Sequence, residues 1–122
     1  MTIIGLDHVQ VAAPPGCESD ARWFYGELLG LVEVEKPESL KRRGGVWFAC
    51  GRQQLHVGVT EDFQPATKAH PAILVGAEAL DRAAARLTSA GIQVRFDDAI
   101  PATRRFYVTD PWGNRLELVG AA

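Results

Sequence analysis

FYVTDPWGNRLELV, residues 106–119, decides the fold. Two runs of alternating apolar residues flank Asp110-Pro111-Trp112-Gly113-Asn114, a dense cluster of turn formers. Residues 103–109 and 115–119 are therefore expected to pair as a hairpin. The same pattern occurs earlier in the chain. Residues 45–50 and 53–59 read as two strands around a tight turn at Gly51-Arg52, with Trp47-Phe48 paralleling Phe106-Tyr107 and Leu55-His56-Val57 paralleling Leu116-Glu117-Leu118.

Working outward from each hairpin, the order β-α-β-β-β emerges twice. In the first half, a strand is expected over 3–11, broken by Pro14-Pro15-Gly16. A helix follows over 19–29, with Ala21, Phe24, Tyr25, Leu28 and Leu29 on one face and Gly30 as its stop. Residues 31–35 form the next strand and 36–44 a polar loop. In the second half, a strand over 70–75 precedes a helix over 77–90 with Leu80, Ala83, Ala84 and Leu87 inward and Gly91 as its stop; a strand over 92–96 follows. One domain spanning 1–122 is expected from the length, with module one about 1–60, a linker about 61–69 and module two about 70–122.

The repeat is testable by position. His8 and His70, in the opening strands, are 62 residues apart; His56 and Glu117, in the closing strands, are 61 apart. Four metal-competent side chains thus occupy two pairs of equivalent positions. Because successive strand residues face opposite ways, His56 and Glu117 point away from the leucines that flank them. If those leucines pack under the helices, all four candidates lie on the free, concave side of a curved sheet. Neutral imidazole and carboxylate suit Zn²⁺, Ni²⁺, Fe²⁺, Co²⁺ or Mn²⁺, and three or four protein ligands leave positions open for substrate.

Composition excludes other classes. Hydrophobic residues at 47% and charged residues at 23% are globular rather than disordered usage. A net charge of −2 gives no broad basic footprint for nucleic acid or an anionic membrane. The opening MTIIGLDHVQV lacks the basic start and apolar run of an export signal, so a cytoplasmic protein without a membrane span is expected. Cys17 and Cys50, with no CxxC spacing, are expected to be reduced thiols in small apolar positions.

Three stretches carry a resemblance: LDHVQV (6–11), FYGELLGL (24–31) and FYVTDPWGNRLELV (106–119). Through them the chain resembles the vicinal oxygen chelate superfamily, which includes glyoxalase I, fosfomycin-resistance transferases, extradiol dioxygenases and bleomycin-resistance proteins. The resemblance implies an α+β fold of two tandem βαβββ modules forming a curved mixed sheet with a concave metal-binding cavity. It assigns His8, His70 and Glu117 to the three ligands shared by the dioxygenase and fosfomycin-resistance branches, and His56 to the fourth ligand of glyoxalase I. It implies a small-molecule substrate and a homodimer, with modules pairing across chains.

The expected function is that of a divalent-metal-dependent enzyme on a small oxygen-chelating substrate, with glyoxalase-like lyase or isomerase chemistry first. The alternatives are a non-haem iron extradiol-type dioxygenase and a metal-free, drug-sequestering binder. Glu117 or His56 is the expected proton shuttle. Trp47, Tyr107 and Gln10 are expected to line the cavity, and Arg104 or Arg105 to clamp an anionic group. Lys41-Arg42-Arg43 reads as a solvated loop and Trp112 as local packing of the turn.

Overall fold

The structure is a computed structural model that describes all of residues 1–122. The chain divides into two compact units, Met1–Gln64 and Pro65–Ala122. In the first, β1 (His8–Ala13) leads into a helical segment: α1 (Glu18–Ala21) continues without a break as a π-helical stretch, Arg22–Leu28. Then come β2 (Val32–Val34), a 3₁₀ turn (Glu38–Arg43), β3 (Val46–Cys50) and β4 (Gln53–Val59). The second unit has β5 (Ala72–Val75), a 3₁₀ turn (Ala77–Ala79), α2 (Leu80–Ser89), β6 (Arg95–Phe96), β7 (Arg105–Thr109) and β8 (Arg115–Gly120).

Each unit builds one mixed four-stranded sheet, ordered β1-β4-β3-β2 and β5-β8-β7-β6. The opening strand runs parallel to the closing strand, and the other neighbours are antiparallel. A parallel pair needs a long crossover, and the helix with two intervening strands supplies it. The fold class is α+β, as the repeated pattern predicts.

Alternation sets the two faces. Val46, Phe48, Leu55 and Val57 are buried in the first unit beside Ala21, Phe24 and Tyr25 of the helix. Phe106, Val108, Leu116 and Leu118 are their counterparts in the second, beside Leu80, Ala84 and Leu87. Gly91, with φ +85°, ends α2 where a side chain would be strained.

Several boundaries differ from the sequence expectation. The first strand begins at His8, not at residue 3. Parallel pairing starts at His8 opposite Gln54, one residue into β4, so residues 3–6 have no neighbouring strand; Ile3, Ile4 and Leu6 are exposed. The first helix is wide-turned over most of its length: Leu29 N–H donates to Phe24 O, five residues back. The wider turn rotates less per residue and lets consecutive Phe24 and Tyr25 both be fully buried. The polar loop at 36–44 holds a 3₁₀ turn, tied by Lys41 to Glu35 and Glu38. His70 precedes β5 rather than belonging to it, and the expected strand over 92–96 shrinks to Arg95–Phe96, the two residues that pair with β7. No helix is long and apolar enough to cross a membrane.

Candidate functional site

In the second unit, Glu117 sits on β8 between Leu116 and Leu118 and faces away from the core they fill. Its Oε1 lies 3.0 Å from His70 Nε2, and its Oε2 accepts a hydrogen bond from Arg105 at 3.0 Å. The remaining ring nitrogen of His70, Nδ1, is 2.9 Å from the Lys68 carbonyl oxygen. A carbonyl only accepts, so Nδ1 carries the proton there. Nε2 then faces a carboxylate oxygen with a lone pair unless it is itself protonated. Two lone pairs that close repel, and a cation between them, proton or metal, removes the conflict. An imidazole nitrogen and a carboxylate oxygen of this kind are groups that would hold a divalent metal. A carbonyl on the far nitrogen is the outer partner that metal-binding imidazoles usually have.

Arg105 organises the rest of this face. It is 8% exposed, donates to Tyr107 Oη at 2.7 Å and to Asp97 Oδ1 at 2.9 Å, and so bridges two carboxylates and a phenol. Burial alone would push the Glu117 carboxyl up. The hydrogen bonds from Arg105 and His70 and their charges outweigh burial and hold it below the usual carboxylate range. The Tyr107 ring meets His70 edge-on at 5.5 Å, and the Arg115 guanidinium lies 3.9 Å over it.

The first unit presents a stack. The His56 ring lies between His8 (centroids 4.2 Å apart) and Trp47 (3.8 Å, interplanar angle 2°). Its Nε2 is 2.8 Å from Gln54 Oε1, which leaves Nδ1 as the open edge. Burial, then the neighbouring His8, hold His56 below the ordinary imidazole value, against an opposing pull from Asp7. Asp7 Oδ2 takes His8 Nδ1 at 2.9 Å and leaves His8 Nε2 for another partner.

The structure therefore groups the four expected ligands as two pairs, His8 with His56 and His70 with Glu117. Each pair lies within its own unit. Trp47 and Tyr107 stand against the histidines while Phe48 and Phe106 fill the core. Gln10 lines a small cavity of about 190 Å³ with Trp47, Lys36 and Arg43. Arg104 turns elsewhere, pairing with Asp81 on α2 and lying over Phe96. Arg105 is buried and bonded to Glu117, Asp97 and Tyr107. Sequence reasoning passed over Arg95, Asp97 and Arg115. Arg115 was legible: it lies two residues before Glu117 in the same strand and so shares its face.

A family model described as Glyoxalase/Bleomycin resistance protein/Dioxygenase superfamily matches residues 5–118. No curated protein matches the chain. Among solved structures, one described as a putative glyoxalase family protein from Bacillus anthracis is 52% identical, with a TM-score of 0.94 over 100% of this chain and 98% of that one. The fosfomycin resistance protein of Listeria monocytogenes, as an E126Q mutant complexed with Mn(II) and 1S,2S-dihydroxypropylphosphonic acid, is 18% identical, with a TM-score of 0.80 over 99% and 95%. Lactoylglutathione lyase of Agrobacterium tumefaciens is 21% identical, with a TM-score of 0.70 over 93% and 92%. With a family model spanning nearly all of its length, the chain belongs to the Glyoxalase/Bleomycin resistance protein/Dioxygenase superfamily.

Proposed function

We propose that the chain is a divalent-metal-dependent enzyme acting on a small oxygen-chelating substrate, with glyoxalase-like lyase or isomerase chemistry. The ligands in this reading are His8, His70 and Glu117, with His56 as the fourth. The observation that carries it is the His70–Glu117 pair, an imidazole nitrogen and a carboxylate oxygen held 3.0 Å apart with the far imidazole nitrogen on a backbone carbonyl. A divalent ion, once bound, supplies Lewis acidity that stabilises negative charge on substrate oxygens.

The chain's own groups do the rest. Arg105 keeps Glu117 ionised and holds its Oε2, leaving Oε1 as the ligating oxygen. His56, held neutral by burial with its Nε2 on Gln54, has one lone pair, at Nδ1, that serves either as the fourth ligand or, detached from the ion, to accept a proton from a carbon acid and return it to the neighbouring atom. Trp47 and Tyr107 furnish flat apolar walls against which a small substrate is oriented. The solved relatives support this reading: one is a lactoylglutathione lyase, and another holds Mn(II). A homodimer belongs to the same reading, and the exposed apolar side chains of Ile3, Ile4, Leu6 and Leu74 favour it.

The competing reading is a metal-free binder of drug-like molecules. Elemental analysis of untagged protein separates the two. The expected result is near-stoichiometric Zn, Ni, Fe, Co or Mn, lost in His70→Ala and in His8→Ala, together with turnover of a hemithioacetal. Metal-free wild-type protein that takes up no added divalent ion, yet binds hydrophobic cations, overturns the enzyme reading.

A further inference from the structure

Beside Tyr107 the second unit holds a cavity of about 610 Å³, lined among others by Thr67, Gln93, Arg95, Asp97, Thr109 and Arg115. Two of its arginines differ from the third nearby. Arg105 is saturated by Glu117, Asp97 and Tyr107. Arg95 touches only Gln93 Oε1, at 3.3 Å, and Arg115 lies on the Tyr107 ring with no carboxylate in contact. The one acidic group in the lining, Asp97, is hydrogen-bonded by Arg105 and also feels the charge of Arg115. Two guanidinium groups without a carboxylate hydrogen bond thus share one cavity, in a chain whose net charge is −2.

Sheet register explains the convergence. Arg95 pairs with Tyr107 across β6 and β7, and Arg115 pairs with Thr109 across β7 and β8. The two strands that flank β7 therefore bring one arginine to each side of Tyr107. Stacking restricts the Arg115 guanidinium plane, so less freedom is lost when its N–H groups engage a ligand. Planar forks of this kind match the oxygens of a carboxylate or phosphonate and bind them bidentately.

We infer that Arg95 and Arg115 form an oxyanion subsite, taking a carboxylate or phosphonate group of the substrate, with Tyr107 between them as its wall. The inference rests on the reading above that this face carries the site, and it makes the substrate an anionic one. Thr67, Thr109 and Gln93 add neutral hydrogen-bonding groups to the same lining.

The test is calorimetric titration of the full chain with phenylphosphonate and, separately, benzoate, with EDTA present so that no metal ion reports. The wild type is expected to bind at least one probe, more weakly as salt rises. Arg95→Gln and Arg115→Gln are each expected to weaken binding about 10-fold, a loss of about 1.4 kcal/mol. Arg86→Gln, an exposed change on α2, leaves it unchanged, and the thermal midpoint of every variant confirms folding. The relative strength of the two probes assigns the oxyanion class. Binding that is absent in EDTA, or indifferent to both arginines, overturns the subsite. Metal content in Arg95→Gln/Arg115→Gln is read in parallel and stays at the wild-type level, so failure of the subsite and failure of the metal assignment are told apart.

Discussion

Arg105→Ala is expected to lower the urea midpoint of unfolding at pH 7 well beyond the change given by an exposed substitution such as Arg86→Gln. Both Arg105 and Glu117 are less than a tenth exposed. Removing the cation leaves Glu117 with His70 as its remaining partner and frees Asp97 as well. A buried carboxylate without its counter-charge is far more costly than the pair is stabilising, because desolvation is no longer offset. The wild-type arrangement already carries one cost, since Arg105 Nε is buried with no hydrogen bond. Arg105→Lys restores only part of the loss, because a point-like ammonium cannot reach Glu117, Asp97 and Tyr107 together. Adding Glu117→Gln to Arg105→Ala recovers part of it, and that coupling distinguishes a charge effect from lost packing.

The pH dependence has a defined sign. Glu117 is held below its unfolded value, so its contribution is complete above the usual carboxylate range and fades as pH falls through the depressed folded value. Without Arg105 burial raises the Glu117 carboxyl instead, so this acid limb flattens and the deficit against the wild type shrinks as pH falls through the carboxylate range. A loss no larger than that of an exposed substitution, with the acid limb unchanged, would show that the pair is not a buried unit.

Gly45→Ala is the second large effect, expected at about 2–5 kcal/mol: roughly 1–2 from the left-handed backbone and 1–3 from overpacking. Gly45 has φ +83°, and a Cβ there would stand 2.2 Å from the Val57 carbonyl oxygen. Neither side can yield, because Val57 is paired with Val46 in the sheet and Gly45 N–H is tied to Glu18 Oε2 at 2.6 Å. Gly91→Ala is the control. Its φ is +85°, but nothing lies within 4 Å of the new Cβ, so only the backbone cost of about 1–2 kcal/mol applies. Equal losses at the two positions would mean that the clash at Gly45 is relieved by a shift of the chain.

What the sequence could reveal followed its periodicities. The repeat placed Phe48 with Phe106 and Leu55 with Leu116, because alternation is a local property and the two cores are built alike. Strand ends were less legible, since a strand ends where its neighbour ends. Residues 3–6 have the composition of a strand but no rung to join, and that depends on where β4 begins, some fifty residues on. The wide helix turn was invisible for the same reason: its apolar spacing fits an ordinary helix, and burial of Phe24 and Tyr25 together selects the other. At the site, the side-chain identities were readable and their pairings were not. Nothing local distinguishes Arg104, which reaches Asp81 on the helix, from Arg105, which bridges Glu117 and Asp97 on the opposite face.

The flat contact between Trp47 and His56 has an optical consequence. An indole lying 3.8 Å from an imidazole is close enough for a paramagnetic ion seated on that ring to extinguish its fluorescence. With Trp23 and Trp112 replaced by phenylalanine, Trp47 is the sole emitter, and titration with Ni²⁺ or Co²⁺ should darken the protein in step with occupancy, without any label. Undiminished emission at saturating ion would place the ion away from His56.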